Sequence, residues 1–197
     1  MRHTALFFGS FNPIHIGHLI VASHVAELEY IDEVWLVVSP HNPLKSTTGL
    51  APDEQRLEMA RIAVQSDPRI KVCDIEFSLP RPSFTIHTLE ALKSQFSGNQ
   101  FSLVCGSDIL PSFHQWKDYL KILDLVCIIE YPRRTEKSDP GIIAWDKHHV
   151  RKIDSPQIDI SSTYLRQRIQ QGRSIRYLVP DAVNTYIHKN KTYSSEV

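Results

Sequence analysis

Short apolar runs recur along the chain and alternate with segments whose apolar positions return every three or four residues. The first pattern predicts buried strands and the second predicts helices with one buried face. The first strand reads His3 to Phe8 and runs into a loop, Gly9-Ser10-Phe11-Asn12-Pro13-Ile14-His15. A helix follows from about Ile16 to Glu29 on Leu19, Ile20, Val25 and Leu28, and a second strand covers Glu33 to Ser39. After a loop rich in proline and asparagine, Asp53 is expected to cap a helix carrying Leu57, Met59, Ile62 and Ala63 that ends near Asp67-Pro68.

The alternation continues. Strands are expected at Ile70 to Asp74, Gln100 to Cys105, Leu125 to Glu130 and Val150 to Ile153. Between them, Ser83 or Thr85 begins a helix through Leu89 and Leu92, Gly106-Ser107-Asp108 opens a helical stretch, and another segment covers Trp116 to Ile122. Residues Thr135 to Asp146 read as an irregular loop. Ser or Thr in Ile160-Ser161-Ser162-Thr163 caps a helix that Gly172 ends, and a last helix spans about Asp181 to His188. Strands alternating with helices predict an α/β fold, a Rossmann-like open parallel sheet with helices on both faces. One domain is expected over 1–190, with 191–197 polar enough to fray.

Composition narrows the function. With 197 residues, 42% of them hydrophobic, the chain can bury one full core. Its 22 basic and 22 acidic side chains balance, so no global positive field invites a long nucleic acid and any anion site must be local. No apolar run approaches the ~20 residues that span a bilayer. The opening Met1-Arg2-His3-Thr4 carries no secretory pattern, so a cytoplasmic enzyme without a membrane partner is expected. Cys73, Cys105 and Cys127 lie in strand-like stretches without a CxxC pair and read as buried thiols.

The strongest chemical signal is Gly9-Ser10-Phe11-Asn12-Pro13-Ile14-His15-Ile16-Gly17-His18, between the first strand and the first helix. In an open parallel sheet, ligands lie beyond the carboxyl ends of the strands. A helix N-terminus there offers unpaired N–H groups and a positive dipole to phosphate. A spacing of three puts His15 and His18 on neighbouring positions of one helix face, within reach of the same polyphosphate. Gly17 leaves room between them. A metal site is the alternative, but no Cys or carboxylate in this loop offers a third ligand. Surface histidines are the other. The pattern is neither the dinucleotide-binding GxGxxG nor the P-loop.

This stretch resembles the signature of the nucleotidylyltransferase superfamily, in the form G-(T/S)-F-(D/N)-P-x-H-x-G-H. Four further segments resemble those of nicotinate mononucleotide adenylyltransferases: Ser39-Pro40-His41-Asn42-Pro43-Leu44-Lys45, Pro82-Ser83-Phe84-Thr85-Ile86-His87-Thr88-Leu89, Gly106-Ser107-Asp108 with Trp116, and Ile160-Ser161-Ser162-Thr163-Tyr164-Leu165-Arg166. The matches run in the family's order and cover nearly the whole chain. Three positions depart from its pattern. Asn12 stands for the commoner Asp, Leu44 for a His before the lysine, and His87 for an Asp.

The resemblance implies attack by a phosphate oxygen of nicotinate mononucleotide on the α-phosphorus of ATP, with release of pyrophosphate. It makes His15, His18, Lys45 and Arg166 the catalytic candidates. ATP would be held by Gly9, Ser10, Phe11, Gly17, Gly106, Asp108, Ser161 and Ser162. The mononucleotide would meet Asn12, Thr85 and Trp116, with Arg133 and Arg134 as candidates for a phosphate, or else as paired surface arginines. Mg2+ is expected to come with ATP on its own phosphates and water, without a dedicated metal site. Homo-oligomer formation is compatible with the sequence. The rival readings are a phosphopantetheine adenylyltransferase and a nucleotide-binding module without turnover.

Overall fold

The computed structural model describes residues 1–41, 49–133 and 149–194. Six strands form one parallel sheet: β1 (Arg2–Gly9), β2 (Glu33–Val38), β3 (Ile70–Cys73), β4 (Asn99–Gly106), β5 (Cys127–Tyr131) and β6 (Val150–Lys152). Their order is β3-β2-β1-β4-β5-β6. The order reverses between β1 and β4, so the carboxyl ends of these two strands, Gly9 and Gly106, flank the crevice where such sheets bind ligands. The helices are α1 (Ile16–Ala26), α2 (Asp53–Val64), α3 (Thr85–Gln95), α4 (Tyr119–Leu125), α5 (Ser162–Gln170) and α6 (Asp181–Lys189).

The central strands are apolar along their inner stretches, Ala5 to Phe8, Val34 to Val38 and Leu103 to Cys105, because both faces are covered there. On one face Ala5, Phe7, Val34, Leu36, Val38, Val104 and Ile129 pack with Val21, Leu57, Leu165 and Val183 of the helices. On the other, Leu6, Trp35, Val37, Phe101, Leu103 and Ile128 meet Ile86 and Leu89 of α3 and Ile122 of α4. Successive strand residues alternate between these two cores, as the pleat requires. Cys105 is buried, and Cys73 and Cys127 are half-buried. Burial pushes the thiols up, Cys73 to about 11 and Cys105 to about 12, so these two stay protonated.

Three local expectations are corrected. Asp53 does not cap α2. Pro52 is the N-cap and Asp53 is the first helical residue, its carboxylate turned to Arg56 three positions on at 2.5 Å. The stretch after Gly106 tightens into a 3-10 segment, Leu110–Gln115, so Trp116 ends that turn and α4 begins only at Tyr119. The fraying expected from residue 191 does not reach Thr192, which is 5% exposed and donates to Gln55 Oε1 at 2.9 Å. The loop read at 135–146 lies outside the described residues.

Candidate active site

β1 delivers the chain into a tight turn at its carboxyl end. Phe11 takes a left-handed φ of 44° although it is bulky and only 2% exposed, a conformation that surroundings must hold in place. Its ring is held edge-on by Phe7 at 6.0 Å and by His18 at 5.0 Å. α1 then begins with His15 as its N-cap, in an extended conformation. His15 therefore stands just outside the helix, not on its face as the spacing had predicted. Its ring nevertheless stacks on that of His18, with centroids 3.7 Å apart and planes 20° from parallel.

The His15 backbone N–H donates to Nδ1 of His18 at 3.3 Å. An accepting Nδ1 puts the His18 proton on Nε2, so that nitrogen is its donor. Gly17 lies between the two histidines. A Cβ there would come within 2.8 Å of Ile160 Cγ2 and 3.1 Å of His15 Nδ1. Only glycine lets the first turn of α1 approach the segment before α5 this closely.

Beside this turn opens a cleft of about 510 Å3, lined among others by Phe7, His15, Gly17, His18, Asp108 and Arg133. Its volume suits a nucleotide-sized ligand. Burial lowers the His15 pKa to about 4, and the nearby charge of Arg133 adds to the effect. His15 is therefore neutral at physiological pH, and among the described residues that line the cleft the fixed cation is Arg133. Nη1 of Arg133 lies 3.2 Å from Asp108 Oδ2. Asp108 Oδ1 is buried and has no hydrogen-bond partner among the described residues, an acceptor available to a hydroxyl. That carboxylate also demands Gly106, because a Cβ at this position would collide with Asp108 Oδ1.

The sequence-predicted residues divide into groups. His15, Gly17, His18, Asp108 and Ser161 share the cleft with Arg133, which had been assigned to the mononucleotide side. Ser161 caps α5, its hydroxyl accepting from the Tyr164 N–H at 3.2 Å. Ser162 and Arg166 do fall on one face of α5, but both address the motif turn. Ser162 donates to the Pro13 carbonyl at 2.8 Å and Arg166 Nη1 to the Asn12 carbonyl at 2.9 Å. Gly9 ends β1, Ser10 and Phe11 lead from it into the turn at Asn12-Pro13, and Gly106 closes β4. The Asn12 side chain is spent on the backbone, donating to Gly49 O at 2.9 Å and accepting from Ala51 N at 3.0 Å. An aspartate could not make the first of these bonds. Lys45, Leu44 and Arg134 lie outside the described residues.

Thr85 and Trp116 are not among the residues lining this cleft. Thr85 opens α3, and Trp116 rests on Phe113 with ring centroids 4.9 Å apart. Their two segments meet through Lys117, whose Nζ lies 3.2 Å from His87 Nε2 and 4.8 Å from the Phe84 ring centroid. Below them Glu76 is buried and accepts from Thr88 Oγ1 at 2.7 Å. Burial pushes its carboxyl above the usual range, with the Thr88 hydrogen bond pulling the other way.

Sequence reasoning missed Glu76 and, above all, Arg56, which is fully buried. A signal for Arg56 existed: it falls on the same stripe of α2 as the buried Ala60 and Val64, one and two turns on. A cation on an apolar stripe needs partners close by.

The cytidylyltransferase-like family matches this chain over residues 6–168. A Flavobacterium johnsoniae protein named "Probable nicotinate-nucleotide adenylyltransferase" is 44% identical over 189 residues, covering 95% of this chain and 97% of its own length. A Bacteroides fragilis protein of the same name is 44% identical over 180 residues, 91% of this chain and 88% of its own. Among solved structures, the Plasmodium falciparum nicotinic acid mononucleotide adenylyltransferase complexed with NaAD superposes with a TM-score of 0.81 at 22% identity, covering 98% of each chain. That likeness concerns the fold.

Proposed function

The chain belongs to the cytidylyltransferase-like family, and within it to the nicotinate-nucleotide adenylyltransferases, and from that membership we infer that its cleft beside His15 and His18 holds ATP for adenylyl transfer. The enzyme transfers the adenylyl group of ATP to nicotinate mononucleotide, giving nicotinate adenine dinucleotide and pyrophosphate. The observation that carries the assignment of the site is the stacked histidine pair at the opening of α1, sharing one cleft with Arg133 and Asp108.

The nucleophile is a phosphate oxygen that is already an anion. It forms a bond to the α-phosphorus as the bond to the bridging oxygen breaks, and the electron pair leaves on pyrophosphate. No proton has to be removed, so the protein's task is to align two polyanions and to neutralise charge that shifts onto the leaving group. His18 donates through Nε2–H, and His15 donates as a neutral imidazole. Arg133 supplies the charge. When the nucleotide enters, its ribose hydroxyls satisfy the free oxygen of Asp108, and the triphosphate takes over Arg133 as partner. Ser161 and the start of α5 face the same anion. Ser162 and Arg166 act one step back, through the carbonyls of Pro13 and Asn12 that they hold.

Magnesium enters as part of the substrate, on the oxygens of the triphosphate. The mononucleotide lies toward Thr85 and Trp116, where the indole offers a face for the pyridine ring. No helix among the described residues is long and apolar enough to cross a membrane, and the reading is of a cytoplasmic enzyme acting on two small nucleotides. Pyrophosphate release from ATP, measured in parallel with nicotinate mononucleotide, nicotinamide mononucleotide and phosphopantetheine, tests the function. Nicotinate mononucleotide is expected to give the highest kcat/KM, and turnover with phosphopantetheine alone would overturn the reading.

A further inference from the structure

Arg56 sits on α2, has no exposed surface, and spends every N–H of its guanidinium. Nε donates to Ala51 O at 3.2 Å, Nη1 to Ser10 O and to Ser39 O at 2.7 Å each, and Nη2 to Pro40 O at 3.1 Å and to Asp53 Oδ1 at 2.5 Å. A guanidinium has five donors in a rigid plane, and here each has one acceptor. Four of those acceptors are backbone carbonyls from three separate places: the turn after β1, the end of β2 and the approach to α2. The fifth, Asp53, is held from its other oxygen by Arg81 at 2.8 Å.

We propose that Arg56 is a positioning residue for adenylyl transfer, fixing where the Ser10 end of the motif turn stands relative to the chain leaving β2. The proposal rests on the adenylyltransferase reading above. A buried charge costs several kcal/mol of desolvation unless it is paired and fully hydrogen-bonded, and an apolar side chain of similar size would fill this stripe of α2 without that cost. What the guanidinium does that an apolar group cannot is to fix three backbone segments at once. One of them continues directly into Phe11 and then into His15 and His18. The left-handed Phe11 turn is strained on its own. Nη1, shared between Ser10 O and Ser39 O, pins the residue immediately before it. None of the five groups that accept from Arg56 lines the cleft, so the guanidinium acts on the reacting phosphates through the turn.

Lysine carries the charge but only three donors without a fixed plane, so Arg56→Lys separates charge from geometry. Steady-state kinetics of the full chain with ATP and nicotinate mononucleotide, alongside the thermal transition, give the test. Arg56→Lys is expected to lower kcat by on the order of 10-fold to 10²-fold, with both KM values within about threefold of wild type, as for a misplacement distant from the chemistry. A lowered Tm with kcat per folded molecule unchanged would overturn the proposal and leave Arg56 a purely structural residue. Should Arg56→Lys not fold, Asp53→Asn carries the test, since it loosens the guanidinium from a residue outside the cleft. A several-fold fall in kcat with both KM values held is expected there, and wild-type kcat would sink the idea. The wild-type enzyme assayed in parallel keeps the two readings apart. No turnover by wild type contradicts the function, and wild-type turnover with an unaffected variant contradicts only the role of Arg56.

Discussion

His15 and His18 stack face to face at 3.7 Å while the backbone N–H of the first donates to the ring of the second at 3.3 Å. The pair is a single preorganised unit. The His15 ring is held by burial and by its stack on His18, and the His18 ring by accepting the N–H of the cap residue, so neither has to reorganise when charge moves onto the leaving group. Removing either ring is expected to lower kcat by on the order of 10²-fold or more while KM for nicotinate mononucleotide changes little. Single-turnover pyrophosphate release by His15→Ala and His18→Ala checks this, and near-normal turnover would take the pair out of the mechanism.

Acid stability reports the burial of His15. Its folded-state pKa of about 4 lies below the ordinary 6.5. As pH falls from 6.5 toward 4, the unfolded chain takes up a proton that the folded chain refuses, so stability is lost through that window and no further below it. A gap of this size corresponds to about 3 kcal/mol at most. Urea unfolding of wild type and His15→Gln at pH 7 and pH 4.5 is expected to show a smaller acid-induced loss in the variant. Equal losses would mean that His15 is protonated in the folded protein.

Arg133 lies with His15 and Asp108, so its substitution is expected to act on ATP. Arg133→Met should raise KM for ATP by about 10-fold or more, the scale of losing one charge-assisted contact, with KM for the mononucleotide far less affected. A selective rise in the mononucleotide KM would return Arg133 to the side that the sequence had suggested.

Trp116→Ala is expected to show the converse. It ends the 3-10 segment beside the start of α3 and leaves the histidine cleft untouched. A raised KM for nicotinate mononucleotide with ATP kinetics nearly unchanged is the predicted pattern, and an unchanged mononucleotide KM would make Trp116 a core residue only.

Gly17→Ala probes the approach between α1 and the segment before α5. The new methyl meets Ile160 Cγ2 at 2.8 Å and the His15 ring at 3.1 Å. Overpacking of this kind costs about 1–3 kcal/mol, and one of the groups that must shift is His15. A lower Tm together with a fall in kcat is expected, whereas a variant with both properties intact would show that the turn relaxes freely.

The sequence carried much of this picture, for identifiable reasons. The parallel sheet was legible because Val34 to Val38 and Leu103 to Cys105 are apolar at every position, which only a sheet covered on both faces tolerates. The motif turn was legible because its glycines and histidines fall between a strand and a helix. What the sequence did not disclose depends on contacts between distant segments. Ser162 and Arg166 show the spacing of a helix face, but their use of the Pro13 and Asn12 carbonyls follows from how α5 docks on the turn. Arg133 shares a cleft with His15 because the chain leaving β5 passes next to the motif in space. Thr192 was expected to fray on its polarity, and its anchor Gln55 lies 137 residues earlier in the chain.

The most direct measurement is a crystal structure of the enzyme with a non-hydrolysable ATP analogue and nicotinate mononucleotide. The account predicts the triphosphate within hydrogen-bonding distance of His18 Nε2 and Arg133, the ribose on Asp108, and the mononucleotide phosphate facing the α-phosphorus. A triphosphate bound away from the stacked histidines, with Arg133 still paired to Asp108, would contradict it.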